Sequence, residues 1–124
     1  MPKSFVIHLH TGHGPKHYDL MLSHAEALAT WQLPASPAEL APGEDLPAAR
    51  LADHRRAYLT YEGPVRGGRG AVRRIDEGTY ELLHGDEAAW EVVLAGRICR
   101  GRFALRRDAD RPDRWTLTRL PEDD

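Results

Sequence analysis

Two histidines and an aspartate near the start of the chain have the residue types and the spacing of a metal site. His10 ends an alternating segment, residues 5–10, and His17 and Asp19 share one face of a second, residues 17–22. Alternation with a period of two predicts half-buried β-strands. The Gly- and Pro-containing loop between them predicts a hairpin, which would bring His10 close to His17 and Asp19. Two neutral imidazoles and one carboxylate make a three-ligand set with open positions, suited to manganese, iron or zinc.

A purely structural interpretation of such residues competes with this one. Five of the seven histidines lie within the first 24 residues, and some of them are expected to be solvated. His13 is predicted to be a loop residue. Cys99 is interpreted as a small strand residue. The alternating apolar positions of Trp31, Trp90 and Trp115 predict core packing rather than stacking on nucleic-acid bases.

The composition is that of one globular domain spanning residues 1–124. Hydrophobic residues make up 41% and charged residues 29% of the chain, and no apolar run is long enough to span a membrane. The formal net charge of −2 argues against a strongly basic nucleic-acid-binding protein. Most of the 17 basic residues are arginines, which offer a planar fork for phosphate. With no recognisable signal peptide and a lone cysteine, we expect a cytoplasmic protein without a membrane partner.

Short alternating segments recur along the whole chain, with almost no helical periodicity. This organisation predicts an all-β single domain of about eight short strands, either a sandwich or a small closed barrel. Residues 120–124, which end in three acidic residues, are expected to form a frayed tail. Beyond the first two, the predicted strands cover residues 27–33, 50–54, 57–62, 72–75, 79–83, 90–94, 97–105 and 115–120.

Three connections have recognisable turn chemistry. Ser36-Pro-Ala-Glu39 has the form of a capping box with proline at the first helical position. It predicts one short helical turn within the Pro/Ala-rich loop of residues 34–49. Residues 76–78 (Asp-Glu-Gly) predict a turn. Residues 67–70 (Gly-Gly-Arg-Gly) lack the Lys-Ser/Thr ending of a phosphate-binding loop, so they predict a β-turn or bulge.

A series of short motifs, taken together and in order, resembles that of a known family. The motifs are residues 5–10 (FVIHLH), 17–22 (HYDLML), 31–34 (WQLP), 53–54 (DH), 61–63 (YEG), 76–79 (DEGT), 101–105 (GRFAL) and 115–117 (WTL). Their order is similar to that of the 3′-phosphoesterase module of bacterial ligase D, a multidomain enzyme of DNA end joining. The paired histidine segments are the most specific part of the resemblance, which extends over nearly the whole chain.

That resemblance implies a compact β-barrel and metal-dependent trimming of nucleic-acid 3′ ends. Such modules remove a terminal ribonucleoside and then the remaining 3′-phosphate, and they prefer manganese. His10, His17 and Asp19 match the family's metal ligands. His54 matches a histidine that contacts the scissile phosphate, and Tyr58 matches a tyrosine that lines the site. The implied partners are nucleic-acid 3′ ends and a separate DNA ligase or end-joining protein.

The chain departs from the family where the phosphate would be held. Met21 and Ala35 stand where the family has basic residues, and Leu46 stands at a third such position if the loop aligns without gaps. An acidic residue from a longer N-terminal arm has no counterpart. Arg50 is the preferred replacement because it shares the strand parity of His54, and Arg55 is a second candidate for substrate binding. Further arginines near His54 or in the glycine-rich connection are Arg56, Arg66 and Arg69.

Three functions therefore compete at the level of the sequence. The leading hypothesis is a metal-dependent phosphoesterase that acts on nucleic-acid 3′ ends. The second is a degenerate relative that binds metal and DNA ends without catalysis, as the lost basic residues suggest. The third is a small-molecule metalloenzyme, because two histidines and a carboxylate also hold iron in oxygenases.

Overall fold

The computed structural model describes residues 3–121, so residues 122–124 of the predicted tail lie outside the described part of the chain. Nine strands account for most of these residues. Three single 3-10 turns, over Pro37–Glu39, Arg56–Leu59 and Arg66–Gly68, lie in the connections. The strands are β1 (Lys3–Thr11), β2 (His17–His24), β3 (Ala27–Leu33), β4 (Asp45–Arg55), β5 (Gly63–Pro64), β6 (Ala71–Gly85), β7 (Ala89–Gly96), β8 (Arg100–Arg107) and β9 (Arg114–Arg119).

Eight of the strands form a closed antiparallel barrel. Their order around the wall is β1-β2-β3-β4-β9-β8-β7-β6, and β6 pairs with β1 to close the sheet. The two-residue strand β5 is added beside the beginning of β6. Closure leaves few unpaired strand edges, which suits a small domain with short strands. The predicted all-β barrel of about eight strands is therefore confirmed.

Alternation along the strands separates the interior of the barrel from its outer wall. The interior holds one apolar cluster that includes Phe5, Ile7 and Leu20. The residues that alternate with them along β1 and β2 point outward. The three tryptophans belong to this cluster, as predicted, with Trp31 in edge-to-face contact with Trp90 and Trp115 at ring-centroid distances of 5.2 and 5.6 Å. Since side chains fill the interior, a functional site has to lie on the outer wall.

The predicted turn at residues 76–78 does not exist, because β6 continues through it. Asp76 is buried, and its carboxylate accepts backbone N–H groups from Arg97, Ile98 and Cys99 at 2.7–3.2 Å. A residue typical of turns thus holds the connection between β7 and β8 against β6. The thiol of Cys99 is buried as expected, but it lies in that connection rather than on a strand.

Two further expectations about strands are wrong. Residues 45–49, predicted as loop, are the first part of β4, because they pair with β9 across the barrel. Residues 57–62, predicted as a strand, contain the 3-10 turn Arg56–Leu59, which packs its Tyr58 and Leu59 onto the outer wall. Both outcomes depend on contacts between distant segments that a local pattern does not record.

The remaining connections agree better with their sequences. Ser36 caps the turn Pro37–Glu39, and both hydrogen bonds of the capping box are present. The glycine-rich residues 67–70 form a tight connection around the 3-10 turn Arg66–Gly68, rather than a phosphate-binding loop followed by a long helix. Within the described part of the chain, no helix reaches the length and apolarity needed to cross a bilayer.

Candidate metal centre

The hairpin of β1 and β2 brings the three predicted ligands together on the outer wall of the barrel. His10 lies directly opposite His17 in the strand register, and His8 lies opposite Asp19. The ring centroids of His10 and His17 are 4.7 Å apart. One donor atom from each of His10, His17 and Asp19 lies within 4.8 Å of the other two. Three donors this close could contact one metal ion after small side-chain rotations, given metal–ligand distances of about 2.0–2.2 Å.

Backbone carbonyls orient both imidazoles. His10 Nε2 lies 2.6 Å from the carbonyl oxygen of Arg69, so this nitrogen donates and the lone pair of His10 is on Nδ1. His17 Nδ1 lies 3.4 Å from the carbonyl oxygen of Pro15, a weaker contact of the same kind. His17 Nε2 then carries the lone pair, 3.5 Å from Asp19 Oδ1. Ligand histidines in metal sites are typically oriented by such outer hydrogen bonds.

The carboxylate of Asp19 is the strongest indication that a cation belongs here. Asp19 is only 5% exposed, and its Oδ1 atom makes no hydrogen bond within residues 3–121 beyond the 3.5 Å contact with His17 Nε2. Burial raises the pKa of this carboxyl, and the nearby charges of His17 and His54 act against the rise. An unpartnered buried carboxylate oxygen is costly unless a cation or a donor reaches it. The donor set therefore fits a divalent transition metal.

A cavity of about 300 Å³ contains these ligands together with His8, Gln32, His54, Tyr58 and Arg69. Sequence-predicted His54 and Tyr58 thus lie in the same cavity as the three ligands. Their rings are in edge-to-face contact, with centroids 5.7 Å apart. His54 Nδ1 donates to the carbonyl oxygen of Ala52 at 3.0 Å, which leaves Nε2 for a ligand. The cavity combines a candidate metal set with a second oriented imidazole.

His8 also lines this cavity, although its sequence pattern did not single it out. Its side chain is 1% exposed, and its Nε2 atom has no hydrogen-bond partner within residues 3–121. Burial, together with the charge of Arg74, lowers the pKa of His8 to about 4. The imidazole is therefore neutral at physiological pH. Only its place opposite Asp19 in the hairpin register could have drawn attention to it.

Arg50 is not brought to the site, although it was the preferred replacement for a lost phosphate ligand. A bulge in β4 places Leu51 opposite Thr30 but His54 opposite Leu28, so the parity that Arg50 was expected to share with His54 is broken. Arg50 instead lies opposite Trp31, with its guanidinium 4.3 Å from the centroid of that ring. It faces the tryptophan cluster on the other side of the sheet.

The other residues singled out in the sequence lie in three different places. Arg55 lines a second, smaller cavity that adjoins the first through Tyr58 and Arg69. Met21 borders the metal cavity but is fully buried with Val6 and Leu28, so an apolar floor stands where the sequence resemblance led us to expect a basic side chain. Leu46 packs on the barrel core, and neither it nor Ala35 lines the metal cavity within the described residues.

Arg66, Arg69 and Tyr61 lie closer to the site than their sequence pattern indicates. The pattern offers the two arginines only as possible replacements among several, and Tyr61 only as part of a motif. All three line the second cavity, and the carbonyl of Arg69 holds His10. Their available signal was the pair of arginines inside a glycine-rich connection that follows Tyr61.

Fold and site together define a small β-barrel protein with a candidate metal-binding cavity on its outer wall. Residues 8–107 match the family model of the DNA ligase D 3′-phosphoesterase domain, which is most of the chain, so the protein belongs to that family. No curated protein sequence matches the chain. Membership of the family supports a phosphoesterase-type function linked to the processing of DNA ends.

Proposed function

We propose that this protein is a manganese-dependent phosphoesterase that removes a 3′-ribonucleoside or a 3′-phosphate from nucleic-acid ends. One observation carries the proposal: in a member of this family, the donor atoms of His10, His17 and Asp19 lie within 4.8 Å of one another. His54 lines the same cavity and has a free Nε2 atom. The family's link to DNA ends supports nucleic acid as the substrate, with a separate DNA ligase as the partner that uses the trimmed end.

Each residue of the cavity then has a distinct role. When bound, Mn²⁺ would supply Lewis-acid polarisation of a phosphoryl oxygen and would lower the pKa of a bound water. His10 Nδ1, His17 Nε2 and an Asp19 oxygen would hold the ion. His54 Nε2, protonated, can donate a hydrogen bond to the phosphate or a proton to the leaving oxygen. Tyr58 is a positioning residue, because its ring holds the imidazole of His54 from one side.

The test is processing of a labelled primer–template that ends in a 3′-phosphate or a 3′-ribonucleotide. We expect the wild-type protein to yield a 3′-hydroxyl product with MnCl2 and none with EDTA. His17→Ala should abolish product, whereas His84→Ala should not, because His84 is an exposed residue that pairs with Asp86. Product from His17→Ala at the wild-type rate would refute the assignment of the site.

A non-catalytic binding module is the second candidate, and the surroundings of Met21 favour it. This side chain is buried with Val6 and Leu28 where the sequence resemblance led us to expect a basic residue, and Arg50 does not replace that charge. Removing one charged group from a developing phosphoryl charge commonly costs about 3–4 kcal/mol of transition-state stabilisation. If the protein binds Mn²⁺ and binds the same primer–template in a salt-dependent way, but forms no product, this second function is identified.

A further inference from the structure

The outer wall has a second cavity of about 230 Å³ beside the candidate metal site. Three arginines and two tyrosines dominate its lining, and we call it the arginine–tyrosine cleft (Arg55, Arg66, Arg69, Tyr58 and Tyr61). Tyr58 and Arg69 also line the metal cavity, so the two cavities are adjacent. A ligand that leaves the metal cavity on this side enters the cleft.

Charge in the cleft is one-sided. No carboxylate is part of its lining within residues 3–121, and none of Arg55, Arg66 and Arg69 forms an ion pair there. Elsewhere on the protein, arginines do have acidic partners, as Arg74 has in Glu77. Three unneutralised guanidiniums in one concavity of a chain whose net charge is −2 select an anion, and the guanidinium fork fits a phosphate.

The two tyrosines add an aromatic surface to that charge. The rings of Tyr58 and Tyr61 meet edge to face, with centroids 5.6 Å apart, and the guanidinium of Arg55 lies 6.0 Å from the ring of Tyr58. Tyr61 is 36% exposed, and its hydroxyl donates to the carbonyl oxygen of Pro64, which fixes the ring. Arginines beside accessible aromatic rings are the combination that binds the backbone and the bases of single strands.

The same loop that supplies the cleft also holds a metal ligand. The backbone carbonyl of Arg69 accepts from His10, while its Nε donates to the carbonyl oxygen of Arg66 at 2.7 Å. Gly70 has a φ of +77°, and a Cβ atom there would overlap the carbonyl oxygen of Thr11 at the end of β1. Only glycine permits this approach, so the loop packs directly against the strand that ends beside the candidate ligand His10.

We propose that the arginine–tyrosine cleft binds the nucleotide that precedes the reacting 3′ group, with Arg55 and Arg66 on its phosphodiester and Tyr61 against its base. This assignment rests on the proposed function and makes the substrate class narrower. The protein should act on the end of a strand and discriminate against a free nucleoside 3′-phosphate, which has a base for Tyr61 but no phosphodiester for Arg55 and Arg66.

The experiment compares two substrates with two matched double variants. Turnover of a 3′-phosphorylated tetranucleotide and of a nucleoside 3′-phosphate is measured for wild type and for Arg55→Ala/Arg66→Ala. The control is Arg107→Ala/Arg111→Ala, which removes two exposed arginines that lie outside the cleft. We expect the cleft variant to lose at least ~10-fold of the preference for the tetranucleotide, through KM, because two charge-assisted hydrogen bonds are removed. The control variant should keep the wild-type preference.

Binding of a 5′-labelled tetranucleotide in EDTA separates this inference from the proposed function. The slope of log K against log salt concentration, measured by fluorescence anisotropy, should decrease in magnitude by about 0.7 in the cleft variant. The two arginines contact one phosphodiester, and each neutralised phosphate of a single strand contributes about 0.7. Binding and preference that are unchanged in the cleft variant, or equally reduced in the control, would overturn the cleft assignment while the phosphoesterase stands. Cleft-dependent binding without turnover by the wild-type protein would overturn the phosphoesterase and leave the cleft as a strand-binding site.

Discussion

Replacing Asp19 with asparagine should leave the stability of the metal-free protein unchanged or slightly higher. In the presence of metal, the same replacement should make the protein less stable than the wild type. In the absence of metal, the carboxylate is buried and its Oδ1 atom makes no hydrogen bond within residues 3–121 beyond the 3.5 Å contact with His17 Nε2. Such a charge is a cost to the folded state. Asparagine has nearly the same shape without the charge. We therefore expect metal-free Asp19→Asn to unfold at the wild-type temperature or slightly above it.

In the presence of manganese, the wild type should unfold at a higher temperature than Asp19→Asn. A ligand present at 100 times its Kd stabilises the folded state by about 2.7 kcal/mol. For 124 residues, an unfolding entropy of about 2.1 cal/mol/K per residue gives roughly 0.26 kcal/mol/K. The wild-type melting temperature should then rise by about 10 °C. Asp19→Asn lacks the anionic ligand and should show little of this shift.

Thermal unfolding followed by circular dichroism, in EDTA and in a series of MnCl2 concentrations, measures both effects. Asp113→Asn is the matched control, because Asp113 is an exposed residue of the loop between β8 and β9. It should melt and respond to manganese like the wild type. A full manganese shift in Asp19→Asn would refute the ligand assignment. A loss of several kcal/mol in the metal-free variant would show instead that the carboxylate stabilises the fold by itself.

Three further substitutions test the framework around the site. Asp76→Ala should lower the free energy of unfolding by about 3–5 kcal/mol in urea titrations, because it leaves buried N–H groups without their acceptor. Gly70→Ala should displace the loop from Thr11 and weaken manganese binding in a calorimetric titration. Gly43→Ala should not, because Gly43 has a similarly positive φ but open space around it and lies outside the metal cavity. Arg50→Ala should lower the melting temperature without raising KM, since its guanidinium stacks on the tryptophan cluster; a raised KM would return Arg50 to the site.

Much of the candidate site could be predicted because it is local in the sequence. His10 and His17 lie on either side of one hairpin loop, and Asp19 follows His17 on the same strand face. Alternation and a short loop therefore suffice to bring the three residues together. The capping box at Ser36 and the burial of the three tryptophans are equally local consequences of side-chain type and period. In each case, neighbours along the chain decide the outcome.

Other features of the site depend on residues that are far apart in the chain. The bulge in β4, which lies within its pairing with β3, turns Arg50 away from His54. The contact between His10 and the carbonyl of Arg69 joins residues 59 positions apart. Closing a barrel fixes strand registers together, so one extra residue in a strand changes which side chains face the site. Residue types therefore determined the candidate metal ligands, whereas barrel closure determined which arginines accompany them.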